Sequence, residues 1–263
     1  MALTLIKDPD QRNDPPRPLL EHLLALRDML VFGAVAWAAC VVVAFAFSPQ
    51  VLSWLTSPAK EVQEALQAAS GGESRAWLQG LDLTSGFSTA MSIAVWGGTA
   101  LSFPFVVYAI LRFVFPALTR REKAILMSIL LVGTSLFMVG AVLAYRKTLP
   151  LVVTAFQEIN GWMGLPVETI RIEGYISIVL KTLIAFGLVF QMPLVIFVLG
   201  WFGVVTSKGL REKRRVSIVV AFVLAMFLTP PDPMSQLFMA IPLCLLYELS
   251  IWLIWLKEKG SIR

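Results

Sequence analysis

Six stretches of the chain are almost free of charge: 29–47, 91–111, 124–145, 176–201, 216–228 and 237–256. A helix rises 1.5 Å per residue, so about 20 apolar residues cross a hydrocarbon core of about 30 Å. The first four stretches reach that length. The fifth spans only about 20 Å by the same rise, and the sixth is interrupted by Pro242 and Glu248. The last two are either a re-entrant hairpin or two short spans in a locally thinned bilayer. We adopt the crossing reading. The pattern then predicts an all-α membrane protein with six transmembrane helices, the fifth and sixth short. The predicted layout is a tail over 1–28, a membrane domain over 29–256 and a second tail over 257–263.

Charge sets the orientation. With six spans, 16 of the 22 lysines and arginines fall on one side, in the segments around Lys7 to Arg27, Arg112 to Lys123, Lys208 to Arg215 and Lys257 to Arg263. The positive-inside rule places that side, and both termini, in the cytoplasm. The sequence pI of about 9.4 follows from this asymmetry without nucleic acid as a partner. Only 15% of residues are charged and 57% are hydrophobic, with a mean hydropathy of +0.77, a composition for lipid rather than water. The residues before 29 are polar, with no apolar core and small-residue cleavage site, and read as a tail rather than a removable signal. Cys40 and Cys244 lie in apolar stretches and read as small hydrophobes. A single histidine, His22, leaves no histidine cluster for a metal, and no cofactor is expected.

The external segments carry their own signals. Residues 58–69 begin with Pro58 and are rich in helix formers, predicting a short external helix stopped by Gly71-Gly72. Residues 148–174 mix Phe156, Trp162 and Leu165 with Glu158, Glu168 and Glu173, as an interfacial cap would. Gly97-Gly98, Pro104, Gly133, Gly140, Gly187 and Pro193 fall inside spans, where they bend helices or let backbones approach.

Five motifs occur in order: His22-Leu-Leu-Ala-Leu-Arg27; Phe113-Val-Phe-Pro116-Ala-Leu with Glu122; Phe186-Gly-Leu-Val-Phe-Gln191-Met-Pro193; Leu210-Arg-Glu-Lys-Arg-Arg215; and Leu228-Thr-Pro-Pro-Asp232 with Gln236 and Ala240-Ile-Pro242. Together they resemble the TatC subunit family of the twin-arginine protein translocase, over roughly residues 18–255. The resemblance implies a glove-shaped six-helix bundle with a concave face and no catalytic activity. It implies a receptor for signal peptides carrying two consecutive arginines, in a bacterial cytoplasmic membrane. Small single-span partners of the TatA and TatB kind, self-association, and folded cargo driven across by the proton-motive force are implied with it.

On this reading Glu122 is the acid for the signal arginines, because guanidinium pairs bidentately with carboxylate. The alternative for Glu122 is local pairing with Arg120, Arg121 or Lys123. His22, Arg27, Phe113 and Pro116 match family positions near the same surface, although Arg27 could simply snorkel and Phe113 could anchor the interface. The family's glutamate three residues after the histidine is absent, with Ala25 in its place. Glu21, one helical turn earlier on the same face, is a candidate substitute; the alternative is a favourable first-turn charge. Gln191 stands where the family often has a glutamate. It keeps polarity for a partner contact but cannot ionise, and helix–helix bonding is its other reading. Asp232 and Gln236 are candidate partner contacts, Asp232 also a helix cap. Pro58 matches a structural position of the family. Glu248 needs a partner that the sequence does not name. The competing readings are a divergent paralogue, a small-solute transporter, for which few ionisable groups lie at membrane depth, and an intramembrane enzyme, for which no catalytic pair is present.

Overall fold

The computed structural model describes residues 19–70, 78–114, 120–164, 169–201, 203–228 and 233–260. Among them the chain is helical apart from one pair of two-residue parallel strands, β1 (Leu78–Gln79) and β2 (Ile170–Arg171). Span 1 is α1 (Leu19–Ala46), followed by the external helices α2 (Ser48–Leu55) and α3 (Ser57–Ser70), the latter as Pro58 predicts. Span 2 runs through α4 (Ser85–Ser92), a π turn at Ile93–Gly97 and α5 (Gly98–Val114). Span 3 is α6 (Arg120–Leu143), a second π turn at Ala144–Thr148 and α7 (Leu149–Trp162). Span 4 is α8 (Ile172–Val189) and α9 (Met192–Trp201), and α10 (Ser207–Glu212) leads into span 5, α11 (Arg214–Leu228). Span 6 is α12 (Pro233–Gly260).

Five of these helical stretches are long and apolar enough to cross a membrane: Leu23–Ala46, Ser85–Phe113, Met127–Trp162, Ile172–Gly200 and Met239–Lys259. α11, with 15 residues, is the short fifth span, about 22 Å long. Two expectations are corrected. α12 is not short: it continues for 28 residues through Pro242, because a proline in a membrane helix leaves one carbonyl free without ending the helix when neighbouring helices support it. The first part of the predicted external cap, Leu149–Trp162, is no separate element, since span 3 passes through its π turn and continues as α7.

α1 packs on α5, α6 on α8, and α12 on both α9 and α11. Two glycines let neighbouring backbones approach closely. A Cβ on Gly98 would lie 2.7 Å from the Val41 Cα, and one on Gly140 would lie 2.7 Å from the Phe186 carbonyl oxygen, so any larger residue would push these spans apart. The main core joins spans 3 to 6 through Ala144, Phe186, Phe190, Ala225, Met239 and Leu243. A second core at the external end contains Leu55, Ile93, Tyr145, Leu149, Tyr175 and Val179.

The external cap is tied down where Pro58 interrupts the helix. Proline has no N–H, so the carbonyl four residues earlier, Trp54, loses its helical donor. The Tyr145 hydroxyl donates to that oxygen at 2.7 Å and contacts the Ser57 hydroxyl at 2.6 Å, and its ring stacks on Trp54 with centroids 4.0 Å apart. Tyr175 donates to the Leu55 carbonyl at 3.1 Å. Pro58 is itself buried. Asp82 and Arg171 close the strand end with a 2.8 Å ion pair.

At the basic end, α12 ties down the ends of two neighbours. Lys257 Nζ donates to the Gly200 carbonyl at 2.8 Å, satisfying an acceptor at the end of α9. Glu258 accepts the Ser207 amide at 2.9 Å and the Ser207 hydroxyl, placing its charge at the start of α10. Cation to helix C-terminus and anion to helix N-terminus is the arrangement that helix dipoles favour. Tyr247 adds a bond to the Leu210 carbonyl at 2.9 Å, over a small core of Leu210, Ile251 and Ile254. Tyr145→Phe should destabilise the fold by about 0.5–1.5 kcal/mol, the worth of one hydrogen bond, because the Ser57 hydroxyl still donates to the Trp54 carbonyl at 3.0 Å. Melting in detergent should show a drop of several degrees, larger than for Ser57→Ala. Glu258→Gln should loosen α10, read as faster amide exchange at Ser207 and Gly209.

Candidate functional site

The first turns of α1 lie beside the last turns of α5, with the Phe32 and Tyr108 rings 6.2 Å apart. α6 begins six residues after α5 ends. α1 packs on α5 and α5 on α6, so these three helix ends lie on the same, basic side of the bundle. Glu21, His22, Ala25 and Arg27 all belong to α1, which continues the span outward by about two turns. Glu21 and Ala25 are one helical turn apart and share a face. Ala25 is half-buried, so it contributes contact rather than charge.

Arg27 is exposed and already engaged. Its Nε and Nη2 donate to Asp28 Oδ1 at 3.0 and 2.7 Å. An adjacent pair at an exposed site contributes little stability, but it holds the guanidinium in place and supplies a neighbouring negative charge. Phe113 is half-buried in the last turn of α5. Glu122 is helical, in the first turn of α6, whereas the pattern of the sequence puts it in a connecting loop. A helix start fixes the carboxylate's backbone and suits its charge. The side chains of Glu21, His22 and Glu122 lie outside the described residues, as do Pro116 and Asp232 entirely.

At membrane depth, Gln191 sits at the break between α8 and α9, where Pro193 cannot donate. Its Nε2 donates to the Gly133 carbonyl of α6 at 2.8 Å, so it bridges spans 3 and 4. Gln236 donates to the Phe222 carbonyl at 3.1 Å and joins α12 to α11. Two of the three candidates for partner contact, Gln191 and Gln236, thus make bonds within the chain.

The partner that Glu248 requires is Arg214, with Nη2 and Oε2 2.7 Å apart. The two lie 34 residues apart in the chain, which no local pattern reveals. Together with Gln236 this pins the α11–α12 hairpin near both ends. Both groups of the ion pair are about half-exposed, so the pair fixes geometry more than it adds stability. The exposed positions of the short α10 and the start of α11 carry Lys208, Arg211, Lys213 and Arg215. The basic end is thus a positively charged surface on which a free carboxylate would select cationic ligands by local contact, against the wider field.

The model of the family described as "Sec-independent protein translocase protein (TatC)" matches residues 21–242. A TatC from Magnetococcus marinus is 33% identical over 236 residues, covering 89% of this chain and 83% of that protein. One from Aquifex aeolicus is 34% identical, covering 90% and 94%. The bundle also superposes on a crystal structure described as twin arginine translocase receptor TatC, with a TM-score of 0.75 and 34% identity, over 89% of this chain and 98% of that one. The match runs from the start of α1 into α12 and includes every motif at the basic end. The chain belongs to the TatC family of Sec-independent protein translocases, proteins of the bacterial cytoplasmic membrane.

Proposed function

We propose that this chain is the receptor that takes twin-arginine signal peptides at its basic, cytoplasmic end and hands folded cargo to single-span partners of the TatA and TatB kind. The observation that carries the reading is the superposition on a solved twin-arginine receptor over nearly all of that chain. The local chemistry fits it. Glu122 at the start of α6 is the acid for one guanidinium. Glu21, one turn before Ala25, supplies the second. His22, Phe113 and Pro116 border the same surface. Arg27, held by Asp28, is a positioning cation rather than a ligand for arginine.

Two planar guanidinium groups on two carboxylates explain a preference for arginine over lysine, because lysine makes no bidentate pair. Charge-assisted hydrogen bonds contribute about 1.5–3 kcal/mol each, or roughly 10- to 150-fold in affinity. Partners of a single span have an apolar landing surface on α11, where Val216, Val219, Val220 and Val223 are exposed.

Crosslinking of a twin-arginine signal peptide and its twin-lysine variant to the purified protein tests the reading; equal labelling would overturn it. Glu122→Ala should weaken arginine-peptide binding at least tenfold. Glu21→Ala should weaken it by a comparable factor, and unchanged affinity would remove Glu21 from the site. Gln191→Leu separates glue from partner contact. Loss of its bond to Gly133 should lower the melting temperature by about 1–3 °C without partners present. An unchanged melt with lost partner co-purification would assign Gln191 to the partner instead.

A further inference from the structure

A third carboxylate stands beside the candidate acids of the basic end, and it already holds an arginine. Asp28 follows Glu21 on α1 by two helical turns, so the two positions share a face about 10 Å apart along the axis. Ala25 lies between them on that face with only a methyl group. The Asp28 side chain is two-thirds exposed. Its Oδ1 accepts both Nε and Nη2 of Arg27, at 3.0 and 2.7 Å, whereas its Oδ2 accepts nothing among the described residues. The chain thus forms within itself the contact that a signal arginine needs, two N–H donors of one guanidinium on a carboxylate.

Asp28 also stands at the mouth of an apolar groove. The next two residues, Met29 and Leu30, begin a groove of 560 Å³ that continues past Gly33 and Trp37 of α1 and is walled across from them by Phe103 and Ile110 of α5. The polar groups in its wall are satisfied. Trp37 Nε1 donates to Thr99 Oγ1 at 3.0 Å, Thr99 donates to the Val95 carbonyl at 2.7 Å, and Ser102 donates to the Thr99 carbonyl at 2.9 Å. From Leu30 to Trp37 the groove runs about 10 Å into the bilayer. An export signal places its basic residues before an apolar stretch. The order along α1, acid and then apolar wall, complements the order along such a peptide.

We propose that Asp28 is a further acid of the arginine site and that Arg27 guards it, an arginine of the signal exchanging with Arg27 on the Asp28 carboxylate. The inference rests on the receptor reading above. An exposed pair between neighbouring residues contributes little stability, so Arg27 leaves at small cost and its long side chain turns out toward water. One guanidinium replaces another, donor for donor. A lysine brings a compact ammonium without the planar fork, and so competes poorly for an acid that an arginine already covers. The guard thereby adds selectivity: a bare Asp28 attracts any cation, whereas a covered one yields to a group of equal bonding. Asp28 touches the ligand, and Arg27 acts through Asp28 as a positioning residue.

The test measures binding of four synthetic peptides to the full chain in lipid nanodiscs: a twin-arginine signal, its twin-lysine variant and the two variants with one arginine changed to glutamine. The unsubstituted chain is read first. Equal binding of the twin-arginine and twin-lysine peptides would remove the receptor reading itself, and this inference with it. Where arginine is preferred, Asp28→Asn should weaken twin-arginine binding about tenfold. It should leave unchanged the binding of the one peptide that lacks the arginine held by Asp28, and Asp28→Glu should retain most of the affinity. Arg27→Gln should tighten both the arginine and the lysine peptide about threefold and narrow the preference between them. That gain should vanish when Asp28→Asn is added. A pair that only braces α1 predicts equal losses from Arg27→Gln and Asp28→Asn with every peptide. That result, unchanged affinity in Asp28→Asn, or no gain in Arg27→Gln would each overturn the proposal.

Discussion

Lipid offers backbone groups no hydrogen-bond partner, so each interruption of a helix in or near the bilayer must be answered by the protein itself. This constraint explains the placement of several polar side chains in the bundle. Pro58 frees the Trp54 carbonyl, and Tyr145 donates to it. The break before Pro193 is accompanied by Gln191 reaching across to Gly133. α9 ends at a carbonyl that Lys257 covers, and α10 begins at an amide that Glu258 accepts. The irregular points thereby become joints between elements distant in sequence, and the bundle is held at its two ends more than along its length.

A rigid frame with pinned ends matters for a receptor whose recognition groups are few. The basic surface repels a cationic peptide at long range, but salt screens that field over about 8–10 Å. A contact between guanidinium and carboxylate acts at bonding distance and keeps most of its strength. Glu122 lies in the first turn of α6 and Glu21 in α1, so on the proposed reading helices rather than a loop would fix the spacing of their backbone positions. Recognition of two adjacent arginines by geometry requires such fixed spacing.

The apolar pattern made the spans legible because length and hydropathy are local properties. The external helix after Pro58 was legible for the same reason. What escaped was long-range or cooperative. α12 passes Pro242 because α9 and α11 support it, a circumstance a proline alone does not reveal. α7 joins span 3 through a π turn that has no sequence signature. Glu248 announced a need for a partner, but Arg214 was one of five basic residues in its segment, and only folding selects it. Gln191 was legible as polar and mid-span, while its acceptor was not. At the basic end the motifs proposed roles for Glu21 and Glu122, and the structure adds that Glu122 starts a helix and that Arg27 is paired with Asp28.

The distribution of charge within the bilayer gives the last step. The positions where the family's acids are expected hold Ala25 and Gln191, while Lys181 introduces a cation into the external half of span 4. A neutral Gln191 satisfied by Gly133 cannot balance that cation, and the ion pair Arg214–Glu248 is self-contained at the other end of the membrane. Among the described residues Lys181 lies over the Trp96 ring, 5.9 Å from its centroid, a face that offsets part of the cost of a cation near hydrocarbon without balancing its charge.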